Sequence, residues 1–448
     1  MRVKVDKYPG AGIKNGKLTF GGADTVALAK KFGTPLYVLD EETLRGHCRA
    51  YREAFEKRYE NVKILFATKS NAMLAVLSIM TQEGLGLDAA SIGELSGAAR
   101  AGADFGNVLL HGNYKKEDEI KKALMWGVGR IVLDSEFEAD TVDRVARKMK
   151  MKARVMLRVT PGVEAHVHEM VQVGKLDSKF GVPIEGGAAL GLIGYILKKR
   201  NLDFCGIHYH IGSQILEAEP FKKAVRIGVE FIAKICNTYA IEIKDFDIGG
   251  GFPVRYSTDQ VMPKPEKFAA VICGELKKGI KEFGFAPPRL LLEPGRGLAG
   301  PAGITLYTIG PVKRIPGVRN YVAVDGGLSD NPRPALYGSL YEAVIANKPD
   351  SRSGVKKFRV SGRHCETDTL IPEIDLPDPA TGDVMAVFST GAYTYSMSGN
   401  YNKFPRPATV LIRNGKAELV VRRETLEDLY ACDILTSRLK NAGRKSKK

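Results

Sequence analysis

Lys69 is the first residue of this sequence whose type and position suggest chemistry. It follows an apolar run at residues 62–66, which predicts a buried strand, and lies in the stretch Phe66-Ala67-Thr68-Lys69-Ser70-Asn71. In a parallel barrel the carboxyl ends of the strands carry the chemistry. A lysine amine that is partly desolvated there becomes nucleophilic enough to form a Schiff base. On this stretch alone, a solvated lysine at a strand end is the alternative.

Polar residues also follow several other apolar runs. The groups are His111-Gly112-Asn113, Arg158, the stretch from His208 to Ser213, Gly249-Gly250-Gly251, and the stretch from Glu293 to Arg296. Because the strand ends of one barrel meet at one mouth, we expect these residues to surround a single site. Burying so many polar groups without a ligand would be costly, so the pattern predicts a polar ligand.

The glycine run indicates what that ligand carries. Gly249, Gly250 and Gly251 come after a strand, where glycine lets backbone N–H groups approach an anion, and phosphate is the usual anion at this place in a barrel. A tight turn is the alternative. Ser213 and Arg296 add a hydroxyl and a guanidinium suited to the same phosphate. A lysine for an imine, a phosphate cradle and an acid together suggest pyridoxal phosphate (PLP).

These residues need a barrel to position them, and the sequence predicts one. Apolar runs occur at residues 62–66, 86–88, 108–110, 130–133, 154–157, 204–207, 246–248 and 290–292, and helix-like segments separate most of them. Alternating strands and helices predict a parallel sheet, and eight such units fit an α/β fold with a closed (β/α)8 TIM barrel. A doubly wound open sheet is the alternative, but no GxGxxG follows the first strand.

After Arg296 the pattern changes to strands without regular helical spacers, separated by turns such as Asn414-Gly415. We therefore predict a PLP-binding barrel at 38–296 and a mainly β domain built from residues 1–37 and 297–448. Short apolar pieces up to Lys31 are predicted as strands and turns, and these N-terminal strands are expected to join the β domain.

Composition bears on location and partners. The formal charge is +16, but basic and acidic residues are mixed, and the one compact basic run is the end at 443–448, so neither nucleic-acid binding nor membrane binding is expected. The six cysteines contain no CxxC pair, and no apolar run reaches membrane-spanning length. These features predict a cytoplasmic protein.

His166, His168 and Glu169 have metal-like spacing but no further ligand cluster, so no metal is predicted.

Three motifs resemble the signatures of the fold type III PLP-dependent amino-acid decarboxylases. They are the stretch from Gly206 to Gln214, the stretch from Asp247 to Phe252, and Glu293-Pro294-Gly295-Arg296. Within that group the chain is most similar to the diaminopimelate decarboxylases, through matches such as His111-Gly112-Asn113, Cys365-Glu366 and Arg333-Pro334-Ala335-Leu336-Tyr337. The matches run in family order from about Leu36 to Pro407.

The resemblance implies a role for each cofactor residue. Lys69 binds PLP as an imine, His210 stacks on the pyridine face, and Tyr393 lies over the cofactor. Glu293 pairs with the pyridine nitrogen, while the phosphate or its surroundings are held by Ser213, Gly249, Gly250, Gly251 and Arg296. A carboxylate at the pyridine nitrogen keeps it protonated, which favours decarboxylation over racemisation.

The resemblance also assigns the substrate contacts. Arg333 and Tyr337, with help from Arg296, bind the carboxylate of the distal stereocentre, for which a bidentate guanidinium is suited. Glu366 binds the distal ammonium, and Cys365 is a candidate proton donor near the reacting carbon. In this family both residues come from a partner subunit, so a homodimer with shared active sites is implied. There are two alternatives. Arg333 and Glu366 could form surface ion pairs, and Cys365 could be a packed thiol.

The implied reaction is PLP-dependent decarboxylation of meso-2,6-diaminopimelate to L-lysine and CO2, the last step of lysine biosynthesis. The alternatives are a sister decarboxylase acting on carboxynorspermidine, ornithine or arginine, and a catalytically silent regulatory relative. One segment departs from the family pattern, because Gly362-Arg363-His364 precedes Cys365 where the family usually has Gly-Pro-x. His208 is expected to point away from the side of the strand that carries His210.

Overall fold

A computed structural model describes residues 3–163 and 178–440 of the chain. His166, His168 and Glu169, which the sequence predicts to bind no metal, lie outside the described residues, and so does the basic end at 443–448. None of the helices in the described part of the chain is long and apolar enough to cross a membrane.

The chain begins with a small three-stranded antiparallel sheet, formed by β1 (Ala11–Lys14), β2 (Lys17–Phe20) and β3 (Ala23–Asp24). Helix α1 (Thr25–Phe32) follows it. The prediction of strands and turns up to Lys31 was wrong for this helix. Asp24 caps it by accepting the N–H groups of Val26 and Ala27. This cap stabilises a helix in a segment whose short apolar pieces resemble strands.

Strand β4 (Leu36–Asp40) leads directly into helix α2 (Glu41–Glu56). The carboxylate of Asp40 accepts the backbone N–H of Thr43 at 3.1 Å and so caps the start of this helix. All five residues of β4 are buried because the strand lies inside the sheet of the second domain. The strand therefore crosses the boundary that the sequence placed between residues 37 and 38.

Eight parallel strands form a closed barrel, which confirms the predicted fold. The last barrel strand pairs with the first, Leu290 opposite Val62, and a two-residue strand, β10, extends β9 outside the barrel. In chain order the strands are β5 (Val62–Ala67), β6 (Gly86–Ala89), β7 (Val108–Leu110), β8 (Arg130–Leu133), β9 (Ala153–Thr160), β10 (Val182–Pro183), β11 (Leu202–His208), β12 (Asp245–Asp247) and β13 (Arg289–Leu292).

Alternation along each strand separates the barrel interior from the outer layer. Ile64 and Phe66 belong to the core shared with the helices, whereas Leu65 belongs to a separate buried cluster with Leu109, Val132, Met156, Cys205 and Leu291. These six side chains fill the interior, and the polar side chains lie beyond them. The surrounding helices are α2, given above, and α3 (Leu74–Gln82), α4 (Ile92–Arg100), α5 (Glu117–Trp126), α6 (Glu136–Lys148), α7 (Ala188–Leu197), α8 (Glu219–Tyr239) and α9 (Pro265–Phe283).

The second domain is a mainly β structure that incorporates β4. Its sheet runs β18-β17-β15-β14-β4-β20-β21, and Tyr37 of β4 lies opposite both Thr305 and Thr409. Strand β4 therefore completes this sheet. The strands before Lys31, which were expected to join the β domain, form a separate three-stranded sheet whose Leu18 and Phe20 pack in the same core as β4. The elements are α10 (Arg296–Ala299), β14 (Gly303–Ile315), β15 (Arg319–Val324), α11 (Arg333–Tyr337), β16 (Ala343–Ile345), β17 (Lys356–Ser361), β18 (Thr369–Leu376), β19 (Val384–Val387), β20 (Ala408–Arg413), β21 (Lys416–Val421) and α12 (Ser437–Lys440).

Direct hydrogen bonds hold the β domain against the turn that carries Lys69. The N–H of Tyr393 donates to the carbonyl of Ser70 at 2.7 Å. The side-chain amide of Asn71 donates to the carbonyl of Gly391 at 2.9 Å. Residues of the β domain are thereby fixed over the carboxyl end of β5.

Candidate functional site

Lys69 lies in a short 3-10 turn directly after β5, and its amine faces a large cavity. The Nζ atom is 3.5 Å from Oδ2 of Asp88, a buried carboxylate at the end of β6. This carboxylate raises the pKa of Lys69, although burial opposes the shift. Desolvation and the charge of Asp88 therefore act on the Lys69 amine in opposite directions, and the charge of Asp88 has the larger effect on its pKa. Lys69 must first release a proton, and Asp88 is the carboxylate paired with it.

Glu293, at the end of β13, is buried between two histidines. Its Oε1 lies 2.6 Å from Nε2 of His111, and its Oε2 lies 3.3 Å from Nε2 of His208. Burial acts to raise the pKa of Glu293, but the two imidazoles outweigh it and hold the pKa well below its ordinary value. Burial lowers the pKa of His208 to about 3. The site thus keeps a carboxylate charged at the base of the cavity.

His111, His208, Asp247 and Glu293 also have the spacing of a metal site, since one ligand atom from each lies within 4.8 Å of the others. The two histidine–carboxylate contacts account for most of this clustering. Burial, followed by the charge of Glu293, raises the pKa of Asp247 well above its ordinary value, whereas the pKa of the neighbouring Glu293 is lowered.

The expectation that His208 points away from the side of His210 was wrong. Residues two apart on a strand share a face, and His208 contacts Glu293, which lines the same cavity as His210. The shared face of these two histidines was a signal in the sequence for the Glu293–His208 pair. No comparable signal linked His111 to Glu293, because the two lie on strands far apart in sequence.

His210 lines the cavity and packs on the glycine run. Its Nδ1 accepts the N–H of Gly250 at 3.2 Å, so the ring is neutral and carries its proton on Nε2. Burial, together with the nearby charges of Lys69 and Arg158, lowers the pKa of His210 well below its ordinary value. The N–H of Gly249 donates to Asp247 at 2.8 Å. Two of the three glycine amides are thus used within the protein.

The glycines are needed because the chain passes so close to its neighbours. A Cβ on Gly250 would lie 2.3 Å from the carbonyl oxygen of Glu293, and one on Gly249 would lie 2.5 Å from that of Tyr209. Gly250 and Gly251 line the cavity, whereas Gly249 packs behind them. Glycine at these positions keeps His210 and Glu293 in place.

Gly250→Ala is expected to weaken cofactor binding about 10- to 100-fold, because overpacking a tight contact costs about 1–3 kcal/mol. Titration of the cofactor-free protein with PLP, followed by absorbance, measures the change. Gly274→Ala in α9 is the matched control, since a Cβ there meets nothing within 4 Å. Equal affinity of the two variants would contradict this interpretation of the glycine run.

Ser213 and Arg296 lie together on one wall of the cavity. The guanidinium of Arg296 donates from Nη2 to the hydroxyl oxygen of Ser213 at 3.0 Å and from Nη1 to that of Tyr256 at 2.6 Å. Its carbon lies 4.6 Å from the ring centre of Tyr393. These contacts fix a buried cation beside a hydroxyl, which suits an anionic group. Sequence reasoning gave Tyr256 no role.

The β domain contributes Arg333, Tyr337 and Tyr393 to the same cavity. Arg333 is buried, and its Nη2 donates to the hydroxyl of Ser339 at 3.0 Å. Its Nε and Nη1 have no hydrogen-bond partner among the described residues. A buried guanidinium with unpaired donors is costly on its own, so the cavity is suited to a ligand with a carboxylate at this position.

Cys365 and Glu366 are not brought to this cavity. Both are exposed on a loop before β18, and neither is among the residues that line it. The hydroxyl of Tyr401 donates to the carboxylate of Glu366. The other residues to which the resemblance gives a role line the cavity or, for Gly249, support its wall. Arg158 also lines the cavity, whereas the expected strand-end residues His111 and His208 contact Glu293 without lining it, and Gly112 and Asn113 are not among the lining residues.

The cavity has a volume of about 740 Å³ and its polar groups fit PLP. One amine, Lys69, suits the aldehyde carbon, and the charged carboxylate of Glu293 suits the ring nitrogen. The Ser213–Arg296 pair suits the phosphate, and the guanidinium of Arg333, with two unpaired donors, suits a substrate carboxylate. The donor set therefore matches both a PLP molecule and an acidic substrate.

Comparison with known proteins gives the same result. A family described as the pyridoxal binding domain of pyridoxal-dependent decarboxylases matches residues 41–300. The diaminopimelate decarboxylase of Bacillus subtilis is 40% identical over 94% of this chain and 96% of its own length. The chain belongs to the diaminopimelate decarboxylase family.

Two further relatives extend this result to the whole length of the chain. The diaminopimelate decarboxylase of Synechocystis is 38% identical over 95% of this chain and 92% of its own. The structure of the diaminopimelate decarboxylase from M. jannaschii in complex with L-lysine superposes with a TM-score of 0.91 at 32% identity, covering 97% of this chain and 99% of that one. The barrel and the β domain of this family member are thus both those of a PLP-dependent decarboxylase.

Proposed function

We propose that this protein decarboxylates meso-2,6-diaminopimelate at its D centre to give L-lysine and CO2. The observation that carries the proposal is the buried guanidinium of Arg333, whose Nε and Nη1 lack partners among the described residues in the cavity that holds Lys69 and Glu293. Diaminopimelate keeps a second carboxylate after the first has left, and this carboxylate pairs with Arg333. Ornithine and arginine have no such group.

The residues divide the work between holding the cofactor and holding the substrate. Lys69 anchors PLP, His210 and Tyr393 pack against it, Glu293 holds a proton at its ring nitrogen, and Ser213, Gly250, Gly251 and Arg296 surround its phosphate. When bound, PLP withdraws electrons from the α-carbon and stabilises the carbanion left by CO2. Because the cavity wall is built from buried side chains, the charge of Glu293 acts in a low-dielectric environment, where it is most effective.

The remaining roles belong to a second subunit. We propose a cytoplasmic homodimer in which Cys365 and Glu366 of one chain complete the site of the other, with Glu366 binding the distal ammonium and Cys365 returning a proton to the reacting carbon. Both residues are exposed and lie away from the cavity of their own chain, which is consistent with this arrangement. Sedimentation analysis of the purified protein measures the assembly.

Arg333→Met tests the substrate assignment. Removing one partner of a buried charge pair costs about 2–5 kcal/mol, so kcat/KM for diaminopimelate is expected to fall about 10²- to 10³-fold, while PLP absorbance is retained. Activity on ornithine relative to diaminopimelate should rise, because ornithine has no distal carboxylate and therefore loses no contact when Arg333 is replaced. Arg319→Met, on the exposed start of β15, is the matched control. An unchanged substrate preference would rule out this role for Arg333.

A further inference from the structure

We infer that His364 is a positioning residue, which holds the loop of Cys365 and Glu366 in the geometry that the neighbouring active site requires. The inference rests on the proposed shared-site dimer and goes beyond it, because it names what keeps the loop in place. His364 precedes these two residues directly, yet it is buried while both of them are exposed.

Both ring nitrogens of His364 have partners in its own chain. Nδ1 lies 2.6 Å from Oδ2 of Asp368, and Nε2 accepts the backbone N–H of Ser329 at 3.2 Å. Because Nε2 is an acceptor, the ring is neutral and donates its Nδ1 proton to the Asp368 carboxylate. The ring therefore joins the loop to the segment that leads into α11.

Asp368 is itself fixed in place. Its Oδ1 accepts the N–H of Leu328 at 2.8 Å, and its Oδ2 also accepts the N–H of His364 at 3.1 Å. Gly327 and Gly362 close around the carboxylate so tightly that a Cβ on either would come within 2.2 Å of Oδ2. The loop is thus closed at both ends, at His364 and at Asp368, with Cys365 and Glu366 between them.

Aromatic contacts complete the base of the loop. The His364 ring lies 4.9 Å from the ring of Phe404 in an edge-on arrangement, and the guanidinium of Arg363 lies 3.9 Å above the same ring. The N–H of Cys365 donates to the side chain of Asn402 at 3.2 Å. Two exposed side chains on such a constrained base are suited to contacting a group outside their own chain.

His364→Ala is expected to lower kcat about 10- to 100-fold, since a shift of about 1 Å in a catalytic group costs up to about 10²-fold. PLP absorbance should be unchanged, because Lys69 and its cavity remain intact. His364→Asn keeps a donor near Nδ1 and should recover part of the loss. A kcat for His364→Ala within twofold of the wild type would overturn the inference.

Mixed dimers show which of the two active sites loses activity when His364 is replaced. In a dimer of one Lys69→Ala chain and one His364→Ala chain, one site combines native Lys69 with a native loop, so activity should return to about half that of the wild-type dimer. A matched dimer of Lys69→Ala with Cys365→Ala tests the shared site alone. Recovery in both supports the inference, whereas recovery only in the Cys365 dimer overturns it and leaves the shared site standing. Recovery in neither overturns both, and an inactive wild type contradicts the proposed reaction itself.

Discussion

Lys69→Ala is expected to lower the rate of CO2 release on the order of 10⁴-fold. Among the described residues that line the cavity, Lys69 is the only one with a primary amine, so no neighbour can replace it as the anchor of PLP. Arg333 and the Ser213–Arg296 pair are unchanged in this variant. The substrate carboxylate and the cofactor phosphate therefore keep their binding contacts. Single-turnover measurement of CO2, together with the absorbance of the lysine-bound cofactor, separates loss of chemistry from loss of binding.

Lys198→Ala is the matched control for this experiment. Lys198 is exposed at the end of α7, and its removal leaves the barrel mouth untouched. It should therefore keep the activity of the unchanged protein. A Lys69→Ala variant within tenfold of that activity would mean that another group anchors the cofactor.

Glu293→Gln is expected to lower kcat about 10²- to 10³-fold, with PLP still bound. The amide has nearly the shape of the carboxylate but no charge, so it cannot keep a proton at the ring nitrogen. It also changes the contact with His111, whose Nε2 lies 2.6 Å from Oε1. Steady-state rates and the absorbance spectrum of the bound cofactor measure the two consequences.

Asp247→Asn provides the comparison that isolates charge. Asp247 lies beside Glu293, but burial and the charge of Glu293 raise its pKa well above the ordinary value, which favours its neutral form. An asparagine keeps that neutral state and the oxygen that accepts the N–H of Gly249. We expect kcat within about tenfold of the wild type. Similar losses in Asp247→Asn and Glu293→Gln would show that packing, not charge, determines the effect.

The barrel was predictable because its signal is periodic. Eight apolar runs alternate with amphipathic segments, and each run became a barrel strand within a few residues. The β domain was less predictable. Strand β14, the longest of its sheet, is hard to recognise in the sequence because Gly310 and Pro311 interrupt an otherwise apolar stretch. Helix α1 was missed because it is short and its start depends on one capping residue, Asp24.

The site was predictable where residues follow strand ends, since one rule of barrel architecture brings Lys69, His210, Glu293 and Arg296 to one mouth. Pairing within the site was not predictable. The contact of Asp88 with Lys69 sets the charge of the amine, and it depends on side-chain placement across strands. The hydrogen bond from the N–H of Gly250 to Nδ1 of His210 also depends on side-chain placement across strands.

The position of the loop of Cys365 and Glu366 relative to an active site was not predictable, for a different reason. Sequence similarity assigns both residues to an active site, yet in a single chain they lie outside its cavity. In the proposed dimer their role depends on how two chains meet, which the order of residues along one chain does not specify. The contacts of His364 with Ser329 and Asp368 explain how the loop keeps its shape in one subunit.

Substrate-resolved CO2 release by the purified, PLP-loaded protein is the most direct measurement of the proposed function. meso-Diaminopimelate, carboxynorspermidine, ornithine, arginine and L-lysine would be offered separately, with Lys69→Ala as the blank. We predict CO2 from meso-diaminopimelate, with an equal amount of L-lysine formed, and release from the others at the level of the blank. Faster release from any other substrate, or none from meso-diaminopimelate, would contradict the proposed function.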